Sequence, residues 1–141
     1  MKYVLNSSVG FKWIVVEALT DKARKLRDDF RNALHELIAP DVFPIEVAHG
    51  LAKAERQGRV TPPQGAVLWK DAMMTTPLLF PSIPLVPRAF EIASAMRVGI
   101  YDCLYVAPAE REKCELITSD DKLVKNLGPH FPFIVPLASL P

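Results

Sequence analysis

Apolar residues in this chain follow two alternating rhythms. Five short apolar runs stand out: Tyr3-Val4-Leu5, Leu37-Ile38-Ala39, Leu78-Leu79-Phe80, Leu116-Ile117 within Glu115–Thr118, and Phe133-Ile134-Val135. Polar or proline residues bound most of these runs, and the pattern predicts a strand at each. Between them, apolar residues recur at three- and four-residue intervals with polar positions opposite, which predicts amphipathic helices. A short helix through Lys12-Trp13 follows Asn6-Ser7-Ser8. Thr20 is the expected N-cap of the stretch from Asp21 to Leu37, whose inner face is Ala23, Leu26, Phe30, Ala33, Leu34 and Leu37. Pro44 opens a helix through Ile45, Val47, Ala48, Leu51, Ala52 and Ala54, with Gly58 as its C-cap. Thr61-Pro62 begins another, and Arg88 to Arg97 is a further one ended by Gly99. Asp102 is read as the N-cap of Cys103–Lys113, and Asp120 as the cap of Asp121–Leu127, closed by Gly128.

Strands alternating with helices imply a parallel sheet covered on both faces, an α/β fold. One residue conflicts with its element. Pro108 falls inside the helix begun near Asp102, where it removes a backbone hydrogen bond and crowds the preceding turn at a cost of ~3 kcal/mol. A kink is expected there.

The length, 141 residues, is that of one domain spanning 1–141. Half the residues are apolar, enough for a buried core. A net charge of +1 gives no global electrostatic case for nucleic-acid binding, so any such case is local. No apolar stretch approaches the ~20 residues of a membrane-spanning helix. The N-terminal Met1-Lys2-Tyr3-Val4-Leu5-Asn6 is not a signal peptide, and a cytoplasmic location is the default expectation. Cys103 and Cys114 on one helix would lie ~16 Å apart, too far for a disulfide.

Four polar residues follow elements that bring them to one edge of such a sheet: Asn6, Glu46, Asp102 and Asp120. Ligands of open parallel sheets bind beyond the carboxyl ends of the strands, where Asn6 and Asp120 fall. Like charges ~4 Å apart repel by ~4 kcal/mol at an effective dielectric of 20. Carboxylates gathered without Lys or Arg partners therefore imply a cation, and oxygen ligands select Mg²⁺ or Mn²⁺. Taken singly, each acid has a plainer reading, as a helix cap or a first-turn acid. Their combination carries the functional reading. Glu46-x-x-His49 has di-iron spacing but lacks a second copy. His35 and His130 have no partners. Lys53, Arg56 and Arg59 form a basic strip that would guide an RNA backbone, or equally serve as cations at a helix C-terminus.

The motifs Tyr3-Val4-Leu5-Asn6-Ser7-Ser8, Ile38-Ala39-Pro40-Asp41 leading into Ile45-Glu46-Val47-Ala48, Ile100-Tyr101-Asp102-Cys103-Leu104-Tyr105-Val106-Ala107, and Leu116-Ile117-Thr118-Ser119-Asp120 appear in that order. The chain thereby resembles PIN-domain proteins of the VapC toxin type, nearly end to end. The resemblance implies a PIN-like three-layer α/β sandwich with a mostly parallel sheet of four to five short strands. It implies a Mg²⁺- or Mn²⁺-dependent ribonuclease that cleaves structured RNA of the tRNA or rRNA class, a cognate antitoxin, and a homodimer. Glu46, Asp102 and Asp120 match three acids of the family site. Ser8 and Thr118 match its hydroxyl residues, with Asp121 an outer acid.

Asn6, whose one neutral carbonyl oxygen is expected to remain a weakened fourth metal contact beside Glu46, Asp102 and Asp120, departs from the family, which has Asp there. It stands as a natural weakening, a nuclease-dead member that only binds RNA or antitoxin, or an engineered near-isosteric change. Weakening ranks above a repurposed binder because three acids remain.

Overall fold

The computed structural model describes residues 1–141. Its centre is a sheet of β1 (Lys2–Leu5), β2 (Glu36–Pro40), β3 (Leu78–Phe80), β4 (Glu115–Thr118) and β5 (Ile134–Pro136). All neighbours are parallel, in the order β3-β2-β1-β4-β5. Val4 pairs with Ile38 on one side and Leu116 on the other. Val4, Leu5, Leu37, Leu116 and Ile117 have no exposed surface. That two-sided burial is why the central strands read as unbroken apolar runs.

The chain lays β2 and β3 outward from β1 on one side, then returns to place β4 and β5 on the other. The direction of winding therefore reverses between β1 and β4, and a crevice opens beyond the carboxyl ends of those two strands. Seven helices flank the sheet: α1 (Ser7–Ile14), α2 (Thr20–Arg31), α3 (Phe43–Arg56), α4 (Pro62–Met73), α5 (Val86–Met96), α6 (Ile100–Glu112) and α7 (Asp121–Leu127). The expected five-stranded α/β arrangement holds.

Several boundaries differ from the sequence reading. α2 stops at Arg31, because Ala33 turns into the left-handed region (φ 58°) and Leu34 N–H bonds back to Asp29 O at 2.9 Å. The apolar spacing through Leu34 is incidental; that side chain is exposed. Thr20 is not a cap. It is the first residue of α2, and its Oγ1 accepts from Glu17 N–H, so it ties down the preceding loop. Arg97, not Gly99, takes the left-handed position ending α5 (φ 57°). Gly99 instead precedes α6, which places Asp102 within the first turn and not at the cap. Gly128 closes α7 with an ordinary right-handed backbone, and the last strand lies one residue later than expected. Gly58 follows α3 at φ 74°, as its capping role requires. α6 runs from Ile100 to Glu112 through Pro108, which leaves the Leu104 carbonyl without its usual donor. Cys103 to Ala109 are all buried there, and that packing holds the helix together. Both cysteines are free.

The helices behind the crevice are set by close contacts. Trp13 Nε1 donates to Ala23 O at 2.9 Å, locking α1 to α2. At Gly10 in α1, a Cβ would stand 2.6 Å from Cζ of the fully buried Phe43 ring on α3. At Gly65 in α4, a Cβ would instead meet the movable end of the Glu55 side chain. The two glycines therefore respond oppositely to the same change. Urea denaturation of Gly10→Ala is expected to show a loss of ~1–3 kcal/mol, overpacking outweighing helix propensity. Gly65→Ala is expected to gain up to ~1 kcal/mol as Glu55 swings aside.

Candidate active site

The crevice is a cleft of about 390 Å³ walled by four elements and their links. Asn6 and Ser7-Ser8 come from the end of β1 and the start of α1. Glu46, His49 and Lys53 come from one face of α3, Asp102 from the first turn of α6, and Ser119-Asp120 from the end of β4. Phe11, Lys12, Glu17, Gly50, Gln57 and Arg59 complete the wall. Glu46, His49 and Lys53 share a face because residues three and four apart stack along a helix. Of the residues expected from the sequence, Asn6, Ser8, Glu46, Asp102, Asp120, Lys53 and Arg59 are brought together here. Thr118 is fully buried beneath them. Arg56 and Asp121 are exposed and do not line the cleft.

Hydrogen bonds stitch the two strand ends together. Asn6 N–H donates to Ile117 O at 3.0 Å. Asn6 Oδ1 accepts from Ser8 N–H at 3.1 Å, so the residue is the N-cap of α1. The same oxygen accepts from Thr118 Oγ1 at 3.2 Å. Thr118 Oγ1 in turn accepts from Asp120 N–H at 3.1 Å, and Ser8 Oγ accepts from Ser119 N–H at 2.9 Å. Asp120 Oδ1 then caps α7 through Lys122 N–H at 2.9 Å and Leu123 N–H at 3.3 Å. Asn6 is 4% exposed, so this network fixes its orientation. The bond from Ser8 N–H identifies the amide oxygen, which leaves Nδ2 as the atom opposite it.

The three acids lack ionic partners. None of Glu46, Asp102 and Asp120 forms an ion pair with a lysine or arginine. Burial, then the charges of Asp120 and Glu46, push the Asp102 carboxyl up from 3.8 to about 6. Burial also raises Glu46, against two hydrogen bonds that favour its charged form. Those donors are Tyr105 Oη at 2.6 Å and Ser7 Oγ at 3.3 Å, both on Oε1. The sequence reading missed both, along with Lys12 and Glu17. Tyr105 follows Asp102 by three residues, so helical spacing places it on the face that Asp102 presents to the cleft.

The donor chemistry suits a hard divalent cation: oxygen atoms, mutually repelling, partly desolvated. No three acid, histidine or cysteine groups are drawn together as a ready-made metal cage. Mg²⁺ asks for less than a cage, since it is commonly held by one or two carboxylates with water completing the shell.

The PIN domain family matches this chain over residues 3–127. The sequence is 31% identical over 116 residues to VapC ribonuclease Mb0985 of Mycobacterium bovis, across 78% of this chain and 87% of that protein. Ribonuclease VapC9 of Mycobacterium tuberculosis matches to the same extent. PAE2754 from Pyrobaculum aerophilum superposes with a TM-score of 0.72 at 20% identity, over 99% of this chain and 85% of that one. VapBC2 from Rickettsia felis, bound to a DNA fragment from its promoter, superposes at 0.65 and 14% identity, over 96% and 97% of the two chains. At those identities the two structures speak for the fold.

The upward shifts at Asp102 and Glu46 set a direction for stability. The folded chain binds these protons more tightly than the unfolded one, so stability falls as pH rises from 3.8 through about 6. Asp102→Asn removes a buried, repelled charge. In metal-free buffer near pH 8 its Tm is expected to exceed that of the unaltered chain, corresponding to a stability gain on the order of 1 kcal/mol for this partly solvated group. The two melting curves are expected to converge near pH 4.

Proposed function

The chain belongs to the PIN-domain family, of VapC type, and on that premise we propose that it is a metal-dependent endoribonuclease, the toxin of a toxin–antitoxin pair, with activity weakened by Asn6. The observation that carries this reading is the convergence of Glu46, Asp102 and Asp120, from three separate elements, on one cleft without ionic partners. The names of the relatives supply the substrate class, RNA. We extend the proposal to a structured RNA of the tRNA or rRNA kind, to a cognate antitoxin, and to a homodimer.

Glu46, Asp102 and Asp120 would hold Mg²⁺ or Mn²⁺. Bound there, the ion supplies Lewis-acid charge and lowers the pKa of a water molecule. The chain's own groups do the rest. Tyr105 and Ser7 fix one oxygen of Glu46, leaving its other oxygen for the cleft. Thr118 and Ser8 hold the ends of β1 and β4 in register. Lys53 and Arg59 line the cleft on its basic side and would meet phosphate oxygens. Asp121 and Arg56 stand outside the lining and are left with lesser roles in substrate or water placement.

Asn6 fits the fold and fits a cation poorly. Its oxygen is already engaged by Ser8 and Thr118, and an amide nitrogen cannot ligate metal. An aspartate would keep the capping oxygen and offer a second one to the ion. The same feature favours the rival reading, a silent PIN module that binds RNA or antitoxin without cutting.

RNA cleavage with Mn²⁺, against an EDTA control, decides between the two when Asn6→Asp is run beside the unaltered chain. The aspartate variant is expected to cut roughly tenfold faster or more, and to bind Mn²⁺ more tightly. Failure of both proteins to cut a broad RNA pool, with no Mn²⁺ bound at millimolar concentration, would remove the nuclease reading. Tyr105→Phe gives an independent check. It is expected to weaken Mn²⁺ binding roughly tenfold while Tm changes little. Unchanged affinity would mean that the Tyr105 contact does not position Glu46.

A further inference from the structure

One acid of the cleft differs from the other three. Glu17, in the loop between α1 and α2, receives Lys12 Nζ on Oε1 at 2.8 Å and Arg59 Nη2 on Oε2 at 2.9 Å. Lys12 is 8% exposed, a position where an ammonium is costly unless paired, and Glu17 is its partner. Arg59 also lies over the Phe11 ring, 5.8 Å from its centroid, which steadies the guanidinium. All four residues line the same cleft as Glu46, Asp102 and Asp120. Burial raises the Glu17 carboxyl, but the two cations more than offset it, so the group stays ionised.

The cleft therefore has two ends of opposite chemistry. The acidic end lacks cations; the basic end has two of them converging on the two oxygens of one carboxylate. A phosphodiester presents a similar pair of anionic oxygens, and an arginine beside a lysine is suited to receive it. We infer that Lys12 and Arg59 form a phosphodiester-binding subsite of this cleft, which Glu17 fills in the free protein as an internal stand-in for the RNA backbone. The identity of the ligand rests on the ribonuclease reading. The subsite itself rests on the Lys12–Glu17–Arg59 geometry. On binding, a backbone phosphate replaces the Glu17 carboxylate between the two cations, and Glu17 passes to water.

The test measures anisotropy of a labelled single-stranded RNA, with EDTA present so that nothing is cut, over a range of salt. Glu17→Gln is expected to bind RNA roughly three- to tenfold more tightly, with a salt slope steeper by about 0.7 because no carboxylate is set free to offset the bound phosphate. Arg59→Gln is expected to bind more weakly, with a slope shallower by about the same amount. Inorganic phosphate should raise the Tm of Glu17→Gln more than that of the unaltered chain. A folded Glu17→Gln protein that binds RNA no better and gains nothing from phosphate overturns the proposal. If that variant does not fold, Arg59→Gln decides, and an unchanged affinity and slope would mean the triad is a structural tie. If phosphate stabilises Glu17→Gln while none of the proteins binds the RNA, the anion subsite stands and its assignment to an RNA backbone falls, whereas the ribonuclease reading is decided by the cleavage assay.

Discussion

The buried hydroxyl of Thr118 is the joint on which this site depends. It donates to the side chain that ends β1 and accepts from the backbone that begins the turn after β4. These are the two strands between which the winding of the sheet reverses, so their ends would otherwise diverge. With Thr118 fully buried, neither bond competes with water, and losing one would leave a desolvated donor or acceptor. Asn6 and Asp120 are thereby held a fixed distance apart by the core and not by the surface. α3 and α6 then need only lean over that fixed pair to bring Glu46 and Asp102 to it.

The electrostatics of the cleft follow from the same arrangement. Packing four elements around one crevice withdraws carboxylates from water without supplying cations to them. The free protein carries that burial, and the smaller repulsion added to it, as a cost that raises the carboxyls of Asp102 and Glu46. A few residues along the wall, the reverse solution operates. Lys12 and Arg59 share one carboxylate, and the group is satisfied without any ligand. One cleft thus holds an unsatisfied end and a self-satisfied end. The RNA and cation proposed for the cleft would complement both.

Much of this was legible in the sequence. The apolar runs located all five strands because a parallel sheet buried on both faces leaves no room for alternation. Asn6, Glu46, Asp102 and Asp120 could be placed at one edge because strand ends and helix starts are visible from turn chemistry. What sequence could not supply was reach across the fold. Tyr105 meets Glu46, and Lys12 meets Glu17 and its neighbour Arg59, through contacts set by how helices pack. Helix ends were missed where the left-handed residue was Ala33 or Arg97 and not glycine, since no composition signal marks such a position. Asp102 was misread as a cap because Asp is favoured both at the cap and in the first turn, two roles that differ by three residues here.

The double duty of position 6 has a genetic meaning. The oxygen that caps α1 and receives Thr118 is present in asparagine and in aspartate alike, so the cap and the link between strand ends survive with either, though aspartate adds one more buried charge. Only the second atom differs, and neither the cap nor the Thr118 contact uses it. Codons for the two residues are separated by a single base. A single base change therefore exchanges that second atom while the capping oxygen stays in place.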